Sequence, residues 1–80
     1  MDKAKVIKQI VEDIKKIRPN YDYIRVTEYS KFYIAATDDT RDPMIFDTRG
    51  LFTGRNFVEI KKENLKNPKE VFFEEGKHEK

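Results

Sequence analysis

The side chains that most often carry out catalysis are scarce in this chain. It has no cysteine, so it lacks thiol nucleophiles, redox chemistry and zinc-finger ligands. Its one histidine, His78, lies among charged residues near the C-terminus, where we expect a solvated tail residue rather than a general base. The chain also has no glycine-rich phosphate loop and no hydrolase motif. These features disfavour an enzyme, although they do not exclude one, and we predict no cofactor.

Four aspartates in the middle of the chain could gather around a hard cation: Asp38, Asp39, Asp42 and Asp47. Mg²⁺ and Ca²⁺ prefer oxygen ligands, but Arg41 interrupts the spacing of a calcium-binding loop, and its glycine and closing glutamate are missing. Turn formation, helix capping and pairing with Arg41 explain these carboxylates more simply. We therefore predict no metal site.

The best candidate for a binding surface is a short segment with two apolar residues between two arginines: Arg49, Leu51, Phe52 and Arg55. Turns on a rigid sheet often carry binding residues, and arginine beside an aromatic ring is common at the centre of protein interfaces. The alternative is that both apolar residues belong to the core and the arginines only solubilise the turns. We favour a protein partner for this segment.

A second candidate surface combines tyrosines with basic residues. If Tyr21, Tyr23 and Arg25 share the solvent-facing side of a strand, they form a stacking platform for single-stranded nucleic acid. The basic residues that would then meet phosphates are Lys31 on the same hairpin and Lys8 and Lys15 on a helix. Alternatively, the tyrosines line a half-buried sheet and the lysines form an ordinary solvated face. The net charge of +2 does not decide between these interpretations.

A helix must begin the fold. From Lys3 to Ile17 the apolar residues follow the spacing of one helical stripe: Val6, Ile7, Ile10, Val11, Ile14 and Ile17. Asp2 can cap its start, and Pro19 ends it. All six stripe residues are β-branched and weak helix formers, so burial against a sheet has to stabilise the helix.

The rest of the chain predicts antiparallel strands at residues 21–28, 31–38, 44–47 and 56–62. Gly50 and Gly54 interrupt the chain on either side of Leu51 and Phe52. Residues 68–75 fit either a helix start after Asn67 or a last strand, and we favour the strand because Gly76 follows so soon. Ala36 is predicted to lie beneath the helix, where a small side chain allows close approach.

These elements predict an α+β fold in which one N-terminal amphipathic helix packs on an antiparallel sheet of four to five strands. Residues 1–76 form a single domain, and residues 77–80 a frayed tail. No segment approaches the length of a membrane span, and we expect a cytoplasmic protein. The core is lean for its size, so self-association into a homodimer is an open alternative.

Three functions remain. The first is a small non-catalytic protein-binding module, a regulator or inhibitor that covers a partner's surface. The second is a nucleic-acid-binding protein that uses the tyrosine-rich hairpin and the basic helix face. The third is a small ribonuclease-like enzyme that works without histidine or cysteine, through arginine, lysine, tyrosine and glutamate.

Overall fold

The computed structural model describes residues 2–39, 42–54 and 57–76. Helix α1 (Lys3–Ile17) is followed by strands β1 (Tyr23–Glu28), β2 (Phe32–Ala36) and β3 (Met44–Asp47). Two single-turn 3₁₀ helices, Phe57–Glu59 and Lys62–Leu65, precede strand β4 (Lys69–Glu75). The strands form one antiparallel sheet in the order β3-β2-β1-β4. The predicted fold, one helix packed on an antiparallel sheet, is confirmed with four strands.

Helix α1 packs through its predicted stripe, although the stripe is shorter than expected. The side chain of Asp2 caps the helix by accepting a hydrogen bond from Ala4 N at 3.0 Å. Val6, Ile10, Val11 and Ile14 are buried, and Ile7 is half-buried. Ile17 lies in the last turn and is 53% exposed, so the sheet covers the stripe only as far as Ile14. The helix is too short and too polar to cross a membrane, and no other described helix could.

The face of the sheet beneath α1 carries the main core, and the prediction for Ala36 is wrong. The fully buried alanine in this core is Ala35, whereas Ala36 is half-buried. Neighbouring residues of a strand point to opposite faces, and β2 is apolar on both. Its pattern therefore did not indicate which face meets the helix. The other sheet residues of this core are Ile24, Val26, Tyr33, Met44 and Phe46.

The opposite face of the sheet has a smaller apolar cluster, formed by Phe32, Ile34 and Ile45. Ile60 and Leu65 pack against this cluster. The predicted strand at residues 56–62 is therefore wrong, since its described part contains a 3₁₀ turn and does not join the sheet. An exposed apolar patch on the second face would be costly, and this segment covers part of it.

Residues 68–75 provide the last strand, as we predicted. Asn67 has φ of 55°, a left-handed conformation that turns the chain and is incompatible with capping a helix. Strand β4 then pairs antiparallel with β1 over its whole length, with a bulge where the register shifts between Val26 and Thr27. The predicted tail at residues 77–80 lies outside the described part of the chain.

Candidate functional site

The first candidate surface is the turn that follows β3, which we call the 47–52 turn. Its organising residue is Asp47, whose carboxylate accepts hydrogen bonds from Arg49 N at 2.8 Å and Leu51 N at 3.0 Å. The guanidinium of Arg49 also donates to this carboxylate, at 3.1 Å. These contacts, led by the Leu51 N–H, hold the pKa of Asp47 below its usual value. The Asp47 carboxylate therefore stabilises the turn instead of serving as a cation ligand.

Gly50 fixes the same turn against the helix. Its φ is 87°, which L side chains rarely adopt, and its N–H donates to the carbonyl of Asp47 at 3.0 Å. A Cβ atom at this position would lie 3.2 Å from both the carbonyl oxygen and Cγ1 of Val6. The turn thus rests directly on α1, and any other residue at this position would be strained in its backbone and crowded against Val6.

The two apolar residues of the turn are exposed, although the sequence also allowed them a place in the core. Leu51 is 51% exposed and Phe52 is 53% exposed. The ring of Phe52 packs edge-on against buried Phe46, with 5.6 Å between ring centroids. Arg49 belongs to the same turn and is also exposed. Three of the four predicted binding residues are thus exposed on one turn, while Arg55 lies outside the described residues.

The second candidate surface lies at the other end of the sheet, on the face opposite α1. The rings of Tyr23 and Phe73 are stacked at 24° with centroids 6.0 Å apart, and the guanidinium carbon of Arg25 is 5.3 Å from each centroid. We call these three residues the aromatic platform. The sequence pattern did not predict Phe73 as part of this surface. Two adjacent phenylalanines in one strand must face opposite sides of the sheet, which is the signal that could have identified it.

Tyr21 does not belong to the aromatic platform. It is buried on the helix side, where its hydroxyl donates to Glu74 Oε2 at 2.6 Å. This hydrogen bond and the burial raise the pKa of Tyr21. The predicted alternation fails because Asp22 N and Tyr23 N both donate to the carbonyl of Thr37, so the strand is not regular before Tyr23.

Carboxylates surround the aromatic platform. The Tyr23 hydroxyl donates to Asp39 Oδ1 at 2.8 Å, which is the main reason why the pKa of Tyr23 is raised. Arg25 Nε lies 2.9 Å from Glu70 Oε1. Glu75 lies opposite Tyr23 in the register of β1 and β4. The platform therefore has an acidic rim and one arginine that is already paired.

The three lysines predicted to accompany these tyrosines lie elsewhere. Lys8 and Lys15 are on α1, on the other side of the sheet, and Lys15 pairs with Glu74 at 3.2 Å. Lys31 precedes β2, five residues from Ala36, which pairs with Arg25. At about 3.3 Å per residue this distance is ~16 Å along the strand. The structure therefore does not bring the residues of the predicted nucleic-acid site together.

The last chemistry that the sequence raised is metal binding by the aspartates. Among the described residues there is no group of three or more carboxylate or histidine side chains that could hold an ion. Asp39 binds the hydroxyl of Tyr23, and Asp47 binds its own turn. His78 lies outside the part of the chain that the structure describes.

A groove between α1 and β4 is a third surface, which sequence reasoning did not anticipate. Its volume is about 360 Å³, and its apolar floor is formed by Ile7, Val11 and Phe72. Two lysines and two glutamates line its rim: Lys8, Lys15, Glu12 and Glu74. The charges of this rim balance, so the apolar floor is its distinctive feature.

Comparisons with known proteins give no family for this chain. No protein-family model matches it, no curated protein matches it, and no solved structure matches its fold. Any functional proposal must therefore rest on the surfaces described above.

Proposed function

We propose that this chain is a small non-catalytic protein-binding module whose binding surface is the 47–52 turn. The observation that carries the proposal is the half-exposure of two adjacent large apolar side chains, Leu51 and Phe52, on a turn that is held in place. A cysteine-free sequence suits a reducing compartment, and a cytoplasmic location is part of the proposal.

The rigidity of the turn supports this role. Asp47 holds the backbone of the turn, and Gly50 rests on α1. A surface that is ordered before binding loses less conformational entropy when a partner covers it. The exposed apolar groups are therefore held in one arrangement, which favours a specific partner over non-specific adhesion.

The composition of the turn also matches the centre of a protein interface. An aromatic ring and an arginine are the residues most often found at such centres, where truncation of one costs at least about 2 kcal/mol. Phe52 is half-exposed and packs on Phe46, and the guanidinium of Arg49 is held by Asp47 in the same turn. Phe52 offers an apolar contact and Arg49 a charged group on the same turn, as expected for a module that covers part of its partner's surface.

The test is a quantitative pull-down from nuclease-treated lysate with the wild-type chain and two variants. In the first variant Leu51 and Phe52 are changed to serine. The control is Ile17→Ser, which removes a side chain of the same 53% exposure as Phe52 but at the end of the helix. We expect partners retained by the wild-type chain and the control to be lost from the double variant.

Circular dichroism and urea unfolding verify that both variants fold. If the double variant folds but retains the same partners as the wild-type chain, the 47–52 turn is not the binding surface. A similar loss from the Ile17→Ser control would mean that general surface apolarity, rather than this turn, captures proteins.

Nucleic acid remains the second candidate, because the aromatic platform offers two stacked rings and an arginine. The acidic rim, the buried Tyr21 and the distant lysines all weigh against phosphate binding there. Titration of the chain with a single-stranded oligonucleotide at rising salt tests this candidate. Affinity that falls steeply with salt supports it, since phosphate contacts release counterions.

A further inference from the structure

Strand β4 lies at the edge of the sheet, and part of its backbone faces outward. Gly76 N donates to the carbonyl of Asp22 at 2.8 Å, so alternation directs the backbone groups of Glu74 and Phe72 toward β1. Those of Phe73 and Glu75 then point away from the sheet. With seven residues, β4 is also the longest strand, which makes its edge a template for another strand.

The two sides of this edge differ in chemistry. On the helix side, a strand added to β4 would place its side chains in the α1–β4 groove, whose floor is Ile7, Val11 and Phe72. This floor suits apolar side chains, and the balanced rim favours neither sign of charge.

On the other side of the sheet, the added strand would place its side chains beside Phe73, which is 46% exposed, and near Glu70 and Glu75. The Phe73 ring already has a guanidinium above it, that of Arg25 at 5.3 Å. Aromatic faces and carboxylates both attract cations. This side of the edge therefore suits lysine or arginine.

We propose that the outer edge of β4 binds an extended segment of a partner protein in which apolar and basic residues alternate. The segment adds as a fifth strand, with main-chain hydrogen bonds to Phe73 and Glu75. Because successive residues of a strand point to opposite faces, its apolar side chains enter the α1–β4 groove and its basic side chains face the acidic rim. This site is distinct from the 47–52 turn, which follows β3 at the opposite edge of the sheet.

A second copy of this chain fits the same edge less well. Antiparallel pairing about a two-fold axis preserves the faces of the sheet and brings the start of one β4 toward the end of the other. Glu70 of one copy would then approach Glu75 of the second, and like charges placed opposite each other on a sheet are destabilising. The carboxylates of β4 thus oppose self-pairing and favour a basic strand.

The first experiment measures binding of fluorescent octapeptides to the purified chain by anisotropy. The probes are an alternating valine–lysine peptide, an alternating valine–glutamate peptide and a block peptide with four valines followed by four lysines. We expect the alternating basic peptide to bind at least about tenfold more tightly than either control, because only it satisfies both faces. Equal binding of the block peptide would show simple charge attraction and overturn the proposal.

A second measurement examines the strand addition itself. N-methylation of alternate residues of the basic peptide removes main-chain donors on one edge only. We expect methylation of one of the two possible sets to abolish binding while methylation of the other leaves it unchanged. NMR should show the largest amide shifts at Phe73 and Glu75. Equal tolerance of both methylated sets, or shifts confined to the 47–52 turn, would overturn the proposal.

Variants of the chain complete the test. Phe73→Asn and Glu75→Lys should each weaken binding of the alternating peptide by about tenfold. Ile17→Asn, at an exposed apolar residue of α1 that does not line the groove, should leave the affinity unchanged. A single-stranded oligonucleotide that displaces the peptide from the wild-type chain would assign the edge to nucleic acid instead. If the free chain sediments as a dimer, and Phe73→Asn dissociates that dimer, the edge of β4 binds a second copy. Either result overturns the proposal.

Discussion

The two edge strands of the sheet differ in whether another segment of the chain pairs with them. Beyond β3 the chain turns back on itself, so that Thr53 N donates to the carbonyl of Ile45 at 3.0 Å and Phe52 forms a bridge with Phe46. Beyond β4 no described segment pairs with the strand. At the β3 edge the backbone is already hydrogen-bonded, so side chains form the exposed surface. At the β4 edge backbone groups are exposed, with an apolar groove on one face of the sheet and carboxylates on the other.

This difference bears on what each edge can recognise. A closed edge presents a fixed set of side chains, so it selects a partner by shape and by apolar contact. An open edge offers main-chain hydrogen bonds to any extended segment, and its specificity comes from alternate side chains. Both edges need the same core behind them.

The largest expected effect is at Phe46, which supports the closed edge. Phe46 is fully buried beneath α1, and Phe52 rests against its ring. Phe46→Ala should lower the free energy of unfolding by about 3–5 kcal/mol, through lost burial and a new cavity. Phe72→Ala at the open edge should cost less, because Phe72 is only half-buried. Urea unfolding of both variants measures the contrast, and equal losses would contradict it.

The next largest effect is expected at Gly50. Both Gly50 and Gly54 have positive φ, at 87° and 71°, but a Cβ at Gly54 would meet no atom within 4 Å. Gly54→Ala should therefore cost about 1 kcal/mol, from backbone strain alone. Gly50→Ala should cost about 2–3 kcal/mol, because the added methyl group also presses on Val6. Thermal unfolding of the pair would refute this explanation if the two losses were the same.

Removing the hydroxyl of Tyr21 should destabilise the fold more than removing that of Tyr23, by a smaller margin than between the two glycines. The hydroxyl of Tyr21 bonds Glu74 on the covered helix side, whereas that of Tyr23 bonds Asp39 in solvent. Tyr21→Phe should lower stability by about 1 kcal/mol, typical of a hydrogen bond shielded by burial. Tyr23→Phe should have a smaller effect. Chemical unfolding compares the two substitutions, and the reverse order would show that Tyr21 makes no stabilising bond.

The smallest effect is a pH dependence at the closed edge. The folded pKa of Asp47 is lowered, so its carboxylate stabilises the fold fully above the unfolded pKa. This contribution is lost as pH falls through the lower, folded value. Asp47→Asn cannot titrate, so the stability difference between wild type and variant should shrink on acidification from pH 7 to pH 3. Urea unfolding across this range tests the sign, and a difference that grows would contradict it.

Local patterns predicted several parts of the fold correctly. The spacing of apolar residues located α1, and β-branched and aromatic runs located β1, β2 and β3, because these periodicities are set by local backbone geometry. The pattern at residues 56–62 misled for the opposite reason. Alternation allows a strand, but the apolar cluster around Ile34 and Ile45 lies on a face that α1 does not cover, and Ile60 packs there instead.

The candidate sites show a similar division. The turn chemistry around Gly50 could be predicted, because a positive φ and an aspartate nearby have local causes. The aromatic platform could not be assembled correctly, since Tyr23 and Phe73 are far apart in sequence and meet only through the pairing of β1 with β4. Tyr21 was misplaced because the irregular pairing at Thr37 is a long-range event.

By itself, the sequence determined that a β-branched helical stripe had to be buried on a sheet, because such a helix is weak alone and its apolar face avoids water. Tertiary structure alone decided which face of β2 lies beneath α1 and which segment covers the other face. It also decided that β3 is closed by its own chain while β4 is left open. These choices depend on contacts between residues distant in sequence, and no local periodicity encodes them.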